Sequence, residues 1–244
     1  MKIIRLATTD STNRVALELL DEPAGTVVVA ETQSAGRGRL ARQWLSPPGT
    51  GLYFSVLLRP WLEPADLPKI SLAAGLAVCL ALEELAAITP QLKWPNDLLL
   101  ADRKFGGILT ESGPVRDKGE TVVVVGIGVN LTTPPTAFPE ELRARATTIL
   151  AATGNELDRE ELLRAILSQL DKQIRRLELG EFSAILTEWK KRDVTLGREL
   201  DWVATDGKLV RGVSQGPDAA GLLSIRDHMG RVHTVLSGDL NLVV

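Results

Sequence analysis

Apolar residues along this chain recur with two periods. Short β-branched and apolar runs at Ile3–Leu6, Thr26–Glu31, Leu52–Leu58 and Thr121–Leu131 predict strands, the last of them apolar enough to be buried on both faces. Asp66–Ala87 is apolar almost all round and predicts a long helix packed across a sheet. Asp158–Glu178 instead carries Leu162, Leu163, Ile166, Leu170 and Ile174 at helical spacing among charges, the pattern of an amphipathic cover helix. Asp10-Ser11-Thr12-Asn13 offers several N-caps to a helix whose apolar face is Val15, Ala16, Leu19 and Leu20.

Leu92–Ser112 reads as a β-hairpin, two apolar arms around the polar turn Ala101-Asp102-Arg103-Lys104. In the first arm Trp94-Pro95-Asn96-Asp97 predicts a rigid kink, because Pro95 has no N–H for a ladder and restricts Trp94. In the second, Gly106-Gly107 permits a bulge or close backbone approach. Thr132–Ala146 is a proline-rich loop, a surface connection or a cover for a ligand. From Arg198 the pattern changes to the extended runs Glu199–Ala204, Lys208–Ser214, Gly221–Arg226 and Arg231–Leu236. Turns at Asp206-Gly207, Pro217-Asp218 and Met229-Gly230 separate them, which predicts a small β meander or barrel. The change falls near Asp193–Gly197 and divides the chain into expected units of residues 1–194 and 195–244. The expected class is α+β, a mixed sheet with packed helices.

With 44% hydrophobic and 24% charged residues in 244, the chain can bury a sizeable core and has the profile of a soluble globular protein. A net charge of −3 removes the global basic field of a general nucleic-acid binder, so any cationic site is local. The single cysteine, Cys79, excludes an intramolecular disulfide and a multi-cysteine zinc site, and as a buried thiol it fits a reducing cytoplasm. The N-terminus lacks the apolar core of a signal peptide, and the uncharged run Ile70–Leu82 falls short of the roughly 20 residues that cross a bilayer, so no membrane segment is expected. His228 and His233 have no third ligand nearby and read as surface residues.

The concentrated chemistry lies in Ala30–Pro48. There Arg37, Arg39 and Arg42 stand on a backbone loosened by Gly36 and Gly38, which predicts a mobile cationic loop for a phosphate-bearing ligand, with a solvated basic turn as the alternative. Four polar residues at Asp10–Asn13 exceed what one cap needs and fit an uncharged polar ligand group as well. Trp44 either closes the core beneath the loop or presents its ring to a ligand. Lys93 and Lys104 add cations, and Gly126 and Gly128 inside an apolar strand imply that something presses on its backbone. Gly126-Ile127-Gly128 is not a dinucleotide fingerprint, since no third glycine follows and a Pro-Pro loop replaces the helix.

Taken together, DSTN, AETQSAGRGR with Trp44, KWPNDLLLADRKFGGIL and VVGIGVNL resemble the catalytic and C-terminal portions of biotin protein ligases over essentially the whole chain. The resemblance implies a class II synthetase-like catalytic domain followed by a small SH3-like β-barrel. It also implies ATP-dependent formation of biotinyl-5'-adenylate, followed by transfer of biotin to a lysine of a biotin carboxyl carrier domain. By the same resemblance Ser11, Thr12, Asn13, Gln33, Arg37, Gly38, Arg39, Lys104 and Gly107 match biotin-binding positions. Arg39, Arg42, Trp44, Lys93 and Asn130 match positions near ATP and the adenylate, and Lys104, Arg39 and Lys93 carry the catalytic assignment. Asp97 either orients lysines or the metal, or braces the kink. Magnesium is expected to arrive with ATP, and no protein ligand is assigned to it.

Two features depart from the family. Many relatives begin with a DNA-binding helix-turn-helix, whereas here the Asp10-Ser11-Thr12 motif follows almost at once. A monofunctional ligase without a DNA partner is therefore expected, with homodimer formation left open. Leu40 and Ala41 also stand where relatives often have polar, basic or glycine residues. Two alternatives remain. A lipoate or octanoyl ligase or transferase of the same fold is disfavoured because its histidine-bearing and triple-glycine motifs are missing. A non-catalytic phosphate- or nucleic-acid-binding module is disfavoured by the absence of a basic field and a stacking platform.

Overall fold

The computed structural model describes residues 2–115, 121–203, 209–235 and 240–242. A seven-stranded sheet is formed by β1 (Ile3–Thr9), β2 (Val27–Gln33), β3 (Gly51–Leu58), β4 (Gln91–Lys93), β5 (Asp97–Leu100), β6 (Arg103–Val115) and β7 (Thr121–Asn130), in the order β1-β2-β3-β7-β6-β5-β4. Only β1 and β2 pair in parallel. Helices α1 (Thr12–Glu18), α2 (Leu67–Ala86), α3 (Glu140–Arg143), α4 (Ile149–Thr153), α5 (Arg159–Glu178) and α6 (Phe182–Lys190) complete this part. The expected mixed α+β class is what forms.

Alternation along β7 assigns the two faces of the sheet. Val123, Val125, Ile127 and Val129 join α2, α5 and α6 in the main core. Val122 and Val124 point the other way, into a small cluster with Ala16 of α1, Val28 and Leu57. The apolar surround of α2 has its explanation in burial: Leu72, Leu76, Val78 and Leu82 are at most 1% exposed. Each such side chain contributes about 1.5–3 kcal/mol of burial. With the turn before it, Pro64–Ala86 is long and apolar enough to cross a membrane (mean hydropathy 1.6), but here it is a core helix. The expected amphipathic α5 begins where Asp158 accepts a hydrogen bond from the Glu161 N–H at 2.8 Å.

Several local expectations needed correction. Ser11 is the N-cap of α1 by position, yet its side chain makes no capping bond. The helix ends at Glu18, one residue short of the expected face at Leu19 and Leu20. The Leu92–Ser112 segment is three strands, because the chain reverses at Trp94–Asn96 and pairs β4 with β5. Its second turn occupies Ala101 and Asp102 alone, both at positive φ (47° and 59°), so Lys104 lies within β6 and not at a hairpin tip. Helices α4 and α6 were not anticipated; both are short, and the Gly180 turn hides the break between α5 and α6.

The C-terminal strands β8 (Glu199–Val203), β9 (Leu209–Pro217), β10 (Leu223–Asp227), β11 (Val232–Val235) and β12 (Leu240–Leu242) form an antiparallel sheet in the order β11-β10-β9-β8-β12. The expected turn at Asp206-Gly207, with Ala204, Lys208 and Leu236, lies outside the described residues. Leu200, Trp202, Leu223, Ile225 and Val235 belong to the same apolar cluster as α2. Trp94, 4% exposed, donates its indole N–H to the Gly221 carbonyl at 3.0 Å, so the turn after β4 is fastened to this sheet. His228 and His233 pair with Glu199 and Asp227 at 3.3 and 2.8 Å.

Candidate functional site

The face of β7 that carries Val122 and Val124 continues with Gly126, Gly128 and Asn130, and this change from valine to glycine opens a cavity of about 510 Å³. Cross-strand register places Ser55, Gly126 and Leu109 in one row and Tyr53, Gly128 and Gly107 in the next. A Cβ at Gly126 would collide with the Asn13 amide, and one at Gly128 would come within 2.5 Å of the Trp44 indole nitrogen. The expectation that something presses on this strand is therefore met twice. Both are close-approach glycines, with backbone angles that any residue adopts.

Above the first row lies a polar cluster. Asn13 Nδ2 donates to Glu111 Oε2 at 2.8 Å and to the Leu109 carbonyl at 3.2 Å, and its Oδ1 accepts from Ser55 Oγ at 2.6 Å. Ser55 Oγ is also 2.8 Å from Thr12 Oγ1. The Thr12 N–H donates to Gln33 Oε1 at 2.8 Å, and Gln33 Nε2 donates to Ser46 Oγ at 2.8 Å. Ser11, Thr12 and Asn13 are all buried. Of the four polar residues at the start of α1, Thr12 and Asn13 are explained by this cluster, whereas Asp10 accepts from the Ser11 N–H at 2.7 Å and pairs with Arg14.

Residues 33–46 form an arch whose stems are bridged at Gln33–Ser46 and Arg37–Gln43. Gly36 is required because a side chain there would strike the Trp44 carbonyl on the opposite stem. Positive φ falls at the tip of the arch, on Leu40 (55°) and Ala41 (58°), and not on Gly36 or Gly38. Left-handed backbone costs an ordinary residue roughly 1–2 kcal/mol. Arg37 leaves the arch to pair with Glu111 at 2.8 Å. Trp44 folds back over Gly128 and Gly107, its indole N–H buried and unpaired. Behind the arch, burial pushes the Tyr53 phenol above its ordinary range, so Tyr53 stays neutral and donates to the Pro47 carbonyl at 3.2 Å.

A bulge in the β5–β6 ladder aims the lysine. Leu98 faces Gly106 but Leu99 faces Lys104, so Phe105 is the extra residue. Phe105 enters the main core, fully buried, and Lys104 swings to the cavity side. There its ammonium forms an ion pair with Asp97 and stands 5.5 Å from the centre of the Trp44 ring. A Cβ at Gly107 would be 3.3 Å from the lysine stem, so this glycine makes room for Lys104 as well as for Trp44. Lys93, Arg39 and Arg42 line the same cavity. So does Asn130, which donates to the Thr147 carbonyl at 3.3 Å.

Every residue matched to a biotin or ATP position therefore lines this one cavity: Ser11, Thr12, Asn13, Gln33, Arg37, Gly38, Arg39, Arg42, Trp44, Lys93, Lys104, Gly107 and Asn130, together with Asp97, whereas Asp10, Gly36 and Gly106 do not line it. Sequence reading missed Ser55 and Glu111, a hydroxyl and a carboxylate in segments read only as strands of the sheet and hairpin. The two-residue spacing of Glu111 from Leu109 and Gly107 was the available signal. It also missed Phe138, Leu142 and Arg145, which the proline-rich segment brings to the cavity wall.

Residues 5–130 match the family model described as the biotin/lipoate A/B protein ligase family. The chain belongs to this family. Among its relatives, the bifunctional ligase/repressor BirA of Bacillus subtilis (strain 168) is 35% identical over 234 residues, spanning 95% of this chain and 71% of that protein. A biotin–acetyl-CoA-carboxylase ligase of Paracoccus denitrificans is 36% identical, spanning 93% of this chain and 95% of that one. The solved structure of a biotin protein ligase from Aquifex aeolicus in complex with biotin and ATP superimposes with a TM-score of 0.85 at 34% identity, over 99% of this chain and 98% of that one. This member of the ligase family therefore shares the fold of that enzyme through both of its sheets.

Proposed function

We propose that this ligase activates biotin with ATP and passes it to a lysine of a biotin carboxyl carrier domain. The observation that carries the reading is the division of a single cavity: an uncharged polar cluster around Thr12, Asn13 and Gln33, a glycine and indole wall, and the cations Lys104, Arg39, Arg42 and Lys93. Biotin has the complementary layout, a cyclic urea joined by an apolar chain to a carboxylate. The similarity to an enzyme crystallised with biotin and ATP supports the same ligand pair.

In this reading Ser11, Thr12, Asn13 and Gln33 hold the urea, Gly107 and Trp44 flank the ring and chain, and Lys104 holds the carboxylate. One carboxylate oxygen attacks the α-phosphorus of ATP, the bond to the bridging oxygen breaks, and pyrophosphate leaves. Both reactants are anionic, so their approach needs neutralisation and alignment, which Lys104, Arg39, Arg42 and Lys93 supply. ATP is taken as its magnesium complex, the ion belonging to the substrate; Asp97 and Asp102 are carboxylates on the cavity wall. Asp97 orients Lys104 through their ion pair. Closure of the arch through Arg37, Gly38 and Arg39 would keep water from the acyl phosphate until the acceptor amine attacks its carbonyl carbon and AMP leaves. Asn130 and Trp44 fall on the adenylate side. We assign the cavity to residues 1–194 and an accessory role to 195–244, with the enzyme acting in the cytoplasm.

The test is biotin-dependent exchange of labelled pyrophosphate into ATP, with transfer of labelled biotin to a carrier domain as the second step. Exchange with biotin and none with lipoate is expected. Exchange with lipoate alone would move the chain to the other branch of its family, and no exchange with either acid would overturn the activation step.

A further inference from the structure

The cluster beneath the cavity ends on a carboxylate, and counting protons fixes the direction of the bonds that run from Ser55 through Asn13 to it. Asn13 Nδ2 stands between the Leu109 carbonyl and Glu111, which only accept, so both amide protons are committed there. Asn13 Oδ1 then takes the one proton of Ser55, across 2.6 Å. Ser55 has no second proton, so at the 2.8 Å contact with Thr12 it only accepts, and the Thr12 proton points to Ser55 Oγ or to Gln33 Oε1 at 3.2 Å. Thr12 lines the cavity with its proton turned away and its oxygen lone pairs left over. Asn13 likewise has only acceptor capacity left for a ligand. On the other side of Thr12, Gln33 Oε1 faces both the N–H and the hydroxyl of Thr12, and one Nε2 proton goes to Ser46, leaving a second Nε2 proton as a donor. Ser11 carries a hydroxyl that rotates to either role.

We propose that Glu111 is a specificity-determining positioning residue: with the Leu109 carbonyl it holds both amide protons of Asn13, which keeps Asn13 Oδ1 a hydrogen-bond acceptor beside the acceptor Thr12 and so selects a head group that presents N–H donors beside a carbonyl, as a cyclic urea does. The inference rests on the biotin reading and adds a cause for it. A dithiolane or alkyl head group offers these atoms no donor. A ring oxygen set in place of an N–H would face lone pairs, a mismatch that buried polar sites reject strongly. Arg37 secures the polarity from the far side. It only donates, 2.8 Å from Glu111, so a glutamine at 111 would turn its carbonyl to Arg37 and its amide to Asn13. Asn13 would then face a donor at 111 and the acceptor carbonyl of Leu109, so its amide would no longer be held in the accepting orientation.

The experiment compares Glu111→Gln with the parent chain in calorimetric titrations without ATP. The ligands are biotin and the two cyclic carbamates in which oxygen replaces one ring N–H. The parent should prefer biotin to at least one carbamate by more than about 30-fold, and the variant should shrink that ratio about tenfold or more. The ratio cancels any general loss of affinity that follows from releasing Arg37. Glu111→Ala, which leaves the Leu109 carbonyl alone to hold the Asn13 amide, should shrink the same ratio and serves if Glu111→Gln does not fold. Unchanged ratios in the folded variants would overturn the role of Glu111 while leaving biotin as the ligand. A parent chain that binds no biotin would overturn the reading beneath it, and this inference with it.

Discussion

Replacing Gly128 by alanine tests whether the indole over β7 is what requires a glycine there. An added Cβ would lie 2.5, 2.6 and 3.0 Å from Nε1, Cε2 and Cζ2 of Trp44, against a comfortable separation of about 3.5–4.0 Å. The ring would have to retreat by about 1 Å, and overpacking of this kind costs about 1–3 kcal/mol. Opposing it, alanine is favoured over glycine in a strand by roughly 0.5–1 kcal/mol. A net loss of about 1–2 kcal/mol follows for Gly128→Ala in the parent. In a Trp44→Ala background the collision is gone and only the strand preference remains, so the same substitution should be neutral or stabilising. The double-mutant cycle should show a coupling of about 2 kcal/mol, well above the few tenths expected of independent sites. Urea denaturation followed by far-ultraviolet circular dichroism reads it without relying on tryptophan emission. Equal effects in the two backgrounds would refute the account and leave Gly128 unexplained.

Lys104→Ala should lower biotin-dependent pyrophosphate exchange by about 100-fold or more. Its stability should change by no more than about 1 kcal/mol, because the pair with Asp97 is roughly one-third exposed; near-normal exchange would remove the lysine from the mechanism. At the arch tip, Ala41→Gly should raise stability by up to about 1 kcal/mol by relieving a φ of 58°, and a loss in the urea midpoint would show that the left-handed backbone is not strained. Asp193 gives a pH dependence. Burial raises its carboxyl above the ordinary 3.8, while Oδ1 accepts two bonds from Thr195 and buried Oδ2 accepts none. Between 3.8 and the higher folded value the native chain holds a proton that the unfolded chain has released, so this group makes stability fall as pH rises through that window. Asp193→Asn should therefore gain stability relative to the parent between pH 4 and pH 7, and a constant offset across that range would refute the assignment.

The periodic elements were legible because their burial is simple. Helix α2 and strands β2, β3 and β7 are apolar where they are covered, and no competing local signal interferes. The site residues were legible by motif and charge, since Arg37 and Arg39 stand on either side of Gly38 and Lys104 precedes the Gly106-Gly107 pair. What escaped depended on register. The bulge at Phe105 decides where Lys104 points, and nothing in a string of residues fixes which strand gains the extra position. Ser55 and Glu111 acquire a role only when β3 and β6 are laid on either side of β7. The arch carries its strain on Leu40 and Ala41 and not on its glycines, because the glycines are consumed by the close approach of the two stems.

Strand β7 also limits how this protein can change. Deleting or inserting one residue ahead of Gly126 would turn the glycines toward α2 and swing Ile127 and Val129 into the cavity, so the core would be hollowed and the ligand space filled by a single event. Length changes in this strand are therefore expected in pairs or not at all. Selection for a stable chain and selection for an open binding space act here on the same count of residues, and neither can drift without the other.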